Sequence, residues 1–123
     1  MHRVMLKSKI HRLRVTSGDL AYEGSLSLDP ELMRAADILP WEQVAVANVN
    51  NGARFETYAI EGGPGEAKLN GAAARLGTVG DVLIVMTYSA VDEHEVADWR
   101  PRIVHVDEDN RRVAENVVSL PAG

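Results

Sequence analysis

The serine of Gly24-Ser25 stands inside the run "LAYEGSLSLD" and carries a hydroxyl that could act as a nucleophile. The chain contains no cysteine, so covalent chemistry has to start from a group other than a thiolate. Glycine weakens a strand interior, because it gives up the most backbone freedom and packs no side chain, so its place there calls for a reason. Taken alone, Gly-Ser is a common turn or bulge dipeptide. A second candidate is basic: Arg3, Lys7, Lys9, Arg12 and Arg14 all precede the first acid, Asp19, and make up five of the 13 Lys and Arg in a chain of net charge −5. This run reads as a nucleic-acid stripe, as a solvated strand edge kept from pairing by its charges, or as one or two charges turned inward toward an anionic substrate. One Phe, two Trp and three Tyr are present, and none interleaves with the basic run, so no nucleic-acid partner is expected.

Other motifs exclude further chemistries. "GTVGD" lacks the G-x-G-x-x-G spacing of a dinucleotide site, and no Gly-x-Ser-x-Gly elbow is present. "DEDN" from Asp107 starts like a calcium loop, but its sixth position is Arg112, where the turn needs glycine. His2, His11, His94 and His105 show no ligand pairing, and His94 in "DEHE" reads as part of a solvated helix face, so no metal is expected.

The elements that must carry these residues read as mostly β. At 123 residues and 46% hydrophobic, the chain is one domain with room for an ordinary core. Residues 2–16 read as one long strand, and "LAYEGSLSLD" as a second, with Leu26 and Leu28 alternating against Ser25 and Ser27. Asp29-Pro30 opens a short helix, "PELMRAAD". "EQVAVANV" and "ARFETYAIE" flank the hairpin turn "NNG"; in the second of these strands Arg54 and Tyr58 share one face and Thr57 points to the other. After the turn "GGPG" comes a short strand ending at Asn70. "VLIVMTYS" is nearly continuous in apolar residues, as suits a strand buried on both faces. "VDEHEVADW" reads as a brief surface helix and "RPRIVHVDEDN" as a last strand with a turn. Many short strands with two small helices and no fixed repeat predict a mainly β, closed-barrel fold. No run reaches the roughly 18 apolar residues of a membrane span, and the N-terminus lacks the apolar stretch of a signal peptide. No membrane partner and a cytoplasmic location are therefore expected.

In combination, "MLKSKIHR", "YEGS", "NNGARFETYAI", "NGAAA", "VGD" and "WRPRIVHVD" resemble the aspartate 1-decarboxylase family, the pyruvoyl-dependent enzymes that make β-alanine from L-aspartate for pantothenate and coenzyme A. The resemblance covers nearly the whole chain. It implies a six-stranded double-psi β-barrel with small helices, assembled as a homotetramer with active sites shared between subunits. It also implies a reason for Gly24-Ser25: the precursor cuts itself there into residues 1–24 and 25–123, and Ser25 becomes the covalent pyruvoyl cofactor. Glycine at 24 has no Cβ to block the attack and is free to take up a strained backbone.

The remaining roles follow from the same resemblance. Thr57 assists self-processing with Gly24 and Ser25. A ketone at position 25 forms a Schiff base with the substrate amine and accepts the electrons of the broken carbon–carbon bond. Tyr58 reprotonates the α-carbon. Arg54 clamps a substrate carboxylate, and Lys9, His11 and Thr57 line the substrate site. Asn70 with the amides of Gly71, Ala72 and Ala73 forms a wall that positions the substrate. The chain departs from the family pattern at Ala21, Ala47 and Arg75, which bears on processing rate, pocket fit and the need for an accessory maturation protein. Residues after about Asn110 match least and are expected to form a mobile tail or an assembly contact. The alternative is an unprocessed barrel that binds a small molecule without catalysis.

Overall fold

The computed structural model describes residues 1–113; the chain beyond them, on which the tail expectation mostly falls, lies outside the described residues. Eight strands occur in the order β1 (His2–Arg14), β2 (Ser17–Asp19), β3 (Ser25–Leu28), β4 (Gln43–Asn48), β5 (Arg54–Glu61), β6 (Ala67–Asn70), β7 (Val82–Asp92) and β8 (Arg102–His105). Helix α1 (Pro30–Ala35) follows β3, and 3₁₀ turns cover Gly71–Arg75 and Glu93–Asp98. The protein is mainly β, as its sequence pattern predicts.

The strands are hydrogen-bonded side by side in the order β2-β6-β3-β5-β4-β7-β1-β8. β1 and β2 are separated only by Val15 and Thr16, whose amides bond outward in turn, Val15 to the carbonyl of Asp81 and Thr16 to that of Ala67. The series thus begins with β2 and carries β1, the strand directly before it in the chain, next to its other end, an order consistent with strands curling around a shared core in the manner of a barrel. Where six strands are expected, the excess lies in β2 and β8, three and four residues long. Leu26, Leu28, Val44, Val46, Ala59, Leu69, Leu83 and Val85 fill the interior, with Leu32 and Met33 of α1 packed among them.

β1 stops at Arg14 rather than continuing to residue 16, and two bulges break its pairing with β7, between Leu6 and Ser8 and between His11 and Leu13. The second explains how Ile10 and Leu13, an odd number of residues apart, are both fully buried. The extra residue, Arg12, takes φ +69° and shifts the alternation by one, which a regular strand cannot do. β1 is not an edge: it pairs antiparallel with β7 and parallel with β8. Over Ser8–His11, where β8 also pairs, the solvated-edge reading fails, and two cations outside that stretch find carboxylates, Lys7 with Glu42 at 2.6 Å and Arg3 with Glu93 at 2.9 Å.

The second strand starts at Ser25, not at Leu20. Residues 20–24 form a turn, opened by Asp19 Oδ1 accepting the Ala21 amide at 3.0 Å. All four residues of β3 are buried, serines included. Asp29 caps α1 by accepting the Glu31 amide at 2.8 Å, with Pro30 in the first turn, as its sequence predicts. β7 differs from expectation: Leu83, Val85 and Thr87 are buried, but Ile84 and Met86 are only half-buried and Tyr88 is 48% exposed. Among the described residues, no layer covers its apolar outer face.

Candidate active site at Gly24-Ser25

Ser25 opens β3 directly opposite Asn70, the last residue of β6. Both are buried, at 1% and 0% exposure. The Asn70 Nδ2 donates to Ser25 Oγ at 2.8 Å, and Ser25 Oγ donates to the carbonyl of Glu23 at 3.3 Å. The same Nδ2 donates to Ser27 Oγ at 3.0 Å. Asn70 Oδ1 is buried without a hydrogen-bond partner.

Gly24 differs from expectation in two ways. It precedes the strand, and its φ lies outside the left-handed region, with the nearest atom to an added Cβ being the Asn70 carbonyl oxygen at 3.9 Å. A strained φ is therefore not the reason for glycine at this position. The tight residue is Gly71, at φ +63°, where a Cβ would stand 2.7 Å from the Gly24 nitrogen and 2.9 Å from the Tyr22 carbonyl oxygen. Gly71 lets the Tyr22–Gly24 turn fold onto the start of the 3₁₀ turn, which a side chain would prevent. Ala72 is exposed beside it and Ala73 is buried in the core, so of the expected wall Asn70 and Gly71 are the residues that meet the Gly24-Ser25 region.

β5 runs parallel to β3, with Leu26 beside Ala59. One residue before that pair on each strand stand Ser25 and Tyr58, while Gly24 lies in the turn ahead of β3. Paired residues of neighbouring strands share a face, so Tyr58 lies on the outer face with Ser25, Ser27 and Asn70. Thr57 lies on the inner face, paired with the fully buried Val44. The ring of Tyr58 stacks on Trp41 at 5.5 Å, a neighbour that the sequence pattern did not suggest. Arg54 is exposed at the start of β5, four residues and so about 13 Å along the strand from Tyr58.

Lys9 and His11 lie elsewhere. They sit on β1, four places from β3 in the strand order. The registers place Arg54, Ala47, Ile84, His11 and His105 in one row across β5, β4, β7, β1 and β8. Burial lowers the His11 pKa from its ordinary value, helped by Lys9, His105 and Arg12 nearby. The rings of His11 and His105 meet edge to face at 5.7 Å. Among the described residues no group of three or more His, Asp or Glu is arranged to hold a metal ion, and no helix is long and apolar enough to cross a membrane.

One chain therefore gathers Gly24, Ser25, Asn70 and Gly71, with Thr57 and Tyr58 on the adjoining strand, and keeps Lys9, His11 and Arg54 apart from them. The first group suits a small acyl group at position 25: a buried place, an amide donor, and a buried acceptor, Asn70 Oδ1, that has nothing else to bond. Ser27 was missed by sequence reasoning. Its alternation with Ser25 was the available signal, because residues two apart share a strand face.

A family profile described as "Aspartate decarboxylase" matches residues 1–113. The chain is 57% identical to the aspartate 1-decarboxylase of Syntrophobacter fumaroxidans, over 95% of this chain and 96% of the relative. It is 53% identical to that of Thermoanaerobacter pseudethanolicus, over 92% and 98%, and 51% identical to that of Myxococcus xanthus, over 98% and 95%.

Proposed function

We propose, from the premise that the chain belongs to the aspartate decarboxylase family, that it cuts itself between Gly24 and Ser25 and then converts L-aspartate to β-alanine and CO2 with the pyruvoyl group left at position 25. The observation that carries this reading is the buried Ser25 hydroxyl, held by Asn70 Nδ2 at 2.8 Å beside a glycine.

Cleavage starts when Ser25 Oγ attacks the Gly24 carbonyl carbon. The carbon–nitrogen bond breaks, the hydroxyl proton passes to the nitrogen, and an ester replaces the amide. Gly24 lacks a Cβ that could shield its carbonyl, and the Thr57 hydroxyl of the adjoining strand donates to the oxyanion. Loss of a proton from Cα of residue 25 expels the Gly24 carboxylate, which takes the Oγ with it. Water then replaces the nitrogen, which leaves as ammonia. The products are residues 1–24 and 25–123.

The pyruvoyl ketone supplies an electron sink for carbon–carbon bond cleavage. The chain's own residues do the rest. Tyr58, on the face of Ser25, carries the proton from its Oη to the substrate α-carbon. Arg54, which one chain also keeps apart from Ser25, comes from a second copy and pairs with a carboxylate through its two-pronged guanidinium. Asn70 and the amides of Gly71, Ala72 and Ala73 orient the substrate. Lys9 and His11, on a strand that does not pair with β3, come from a second copy, in a homotetramer with shared sites. The half-buried outer row of Ala47 and Ile84 supports such packing. The enzyme works in the cytoplasm, and its β-alanine serves pantothenate synthesis.

Denaturing intact-mass spectrometry tests the reading. Two fragments that meet at 24/25, the larger with a ketone reducible by borohydride, and β-alanine formed from L-aspartate are the expected results. A chain that stays whole on warming and with a maturation partner overturns it in favour of a binding barrel.

A further inference from the structure

Ser27 has no part in the chemistry above, yet it is bonded to the group that holds the nucleophile. It is 6% exposed, and its Oγ accepts from Asn70 Nδ2 at 3.0 Å, the atom that also donates to Ser25. A carboxamide nitrogen has two hydrogens, and the two serines use both. Ser25 gives its one hydroxyl hydrogen to the Glu23 carbonyl, so its oxygen can only accept from Asn70. The amide nitrogen, not the amide oxygen, must face it. Asn70 Oδ1 is then left buried and unpaired, a cost the side chain would relieve by rotating toward a donor. Such a rotation also has to break the bond from Nδ2 to Ser27 Oγ, so Ser27 adds a second hold on the amide.

We infer that Ser27 is a positioning residue for self-cleavage, pinning the Asn70 carboxamide so that Nδ2 stays on Ser25 Oγ and Oδ1 stays open beside position 25. The inference rests on the self-cleavage reading. Nδ2 supports the negative charge on Oγ as it gives up its proton before attack, and again as the Gly24 carboxylate departs with that oxygen. The acyl shift also turns the amide nitrogen of residue 25, with one hydrogen, into an amine with two. The added N–H needs an acceptor, and Oδ1 can accept it without giving up another bond.

The test follows self-cleavage of the full chain by intact mass at fixed temperature in the wild type, Ser27→Ala and Ser27→Thr, with a thermal melt of each. Ser27→Ala is expected to slow cleavage on the order of tenfold while melting like the wild type, and Ser27→Thr to restore the rate. Should Ser27→Ala not fold, Ser27→Cys, close in size and a weak hydrogen-bonding partner, is expected to show the same slowing. A second readout uses the uncuttable Ser25→Ala chain, where NMR should show faster solvent exchange of the Asn70 side-chain amide once Ser27→Ala is added. Wild-type cleavage rates in folded Ser27→Ala or Ser27→Cys, or unchanged exchange at Asn70, overturn the role of Ser27 alone. A wild-type chain that never cuts overturns the self-cleavage reading, and this role with it.

Discussion

A single oxygen at Ser25 distinguishes a self-processing chain from an inert barrel. Ser25→Ala is expected to leave the chain whole by mass and without decarboxylase activity, while the fold survives because the change removes one atom. Tyr58→Phe separates the two stages: cleavage proceeds, but kcat falls about 100-fold or more, the usual size of a lost general acid, which steady-state assays of the cut protein will show. Gly71 has a different role. Its φ of +63° and the 2.7 Å approach of the Gly24 nitrogen to an added Cβ predict that Gly71→Ala costs about 1–3 kcal/mol, measured by chemical denaturation, and slows cleavage by moving the Tyr22–Gly24 turn. The sequence pattern pointed to Gly24 as the strained residue. The strain belongs to Gly71 across the ladder, because which glycine must yield depends on what packs against it.

At the scale of elements, β1 decides which side chains reach which face. The bulge at Arg12 puts Ile10 and Leu13 into one core and leaves Lys9 and His11 on the outer face. Arg12→Gly should be tolerated, since glycine adopts a positive φ freely, whereas Arg12→Val should destabilise by about 1–3 kcal/mol in denaturant unfolding. The meeting of β1 and β8 also sets a pH dependence. His11 is held below its ordinary pKa by burial and by Lys9, His105 and Arg12, so the folded state favours the neutral ring. Its contribution to stability is present above the unfolded pKa of about 6.5 and is lost as pH falls through the lower folded value. Unfolding titrations across that acid window should be shallower for His11→Gln than for the wild type; equal slopes would mean that His11 does not carry the effect.

For the whole molecule, the outer face of β4, β7 and β1 links fold to assembly. Ala47 and Ile84 lie half-buried in one cross-strand row with Arg54 and His11, and a cavity of about 250 Å³ beside them is lined by Glu42, Glu56, Met86 and Tyr88 among others. In the proposed tetramer this face is where copies meet and sites are completed. Ile84→Arg is expected to shift the mass seen by light scattering from tetramer toward smaller species, and to abolish decarboxylation while Gly24-Ser25 cleavage in the same sample continues, because the cutting residues lie within one chain. A tetramer that survives the substitution with full activity would place the assembly contact elsewhere.

Local signals were readable before any fold was known. The Asp29-Pro30 cap, the Asn-Gly hairpin, the mainly β pattern and the family segments each depend on residues adjacent in the chain, whose propensities act at short range. The tertiary structure alone showed that β1 is an interior strand, that Gly71 rather than Gly24 is crowded, that β7 has a face left open, and that Asn70 ties Ser25 to Ser27. It also separated Lys9 and His11 from Ser25 by four strand positions. These depend on ladder register and bulges, which pair residues far apart in sequence, and a single-residue shift in register moves a side chain to the opposite face.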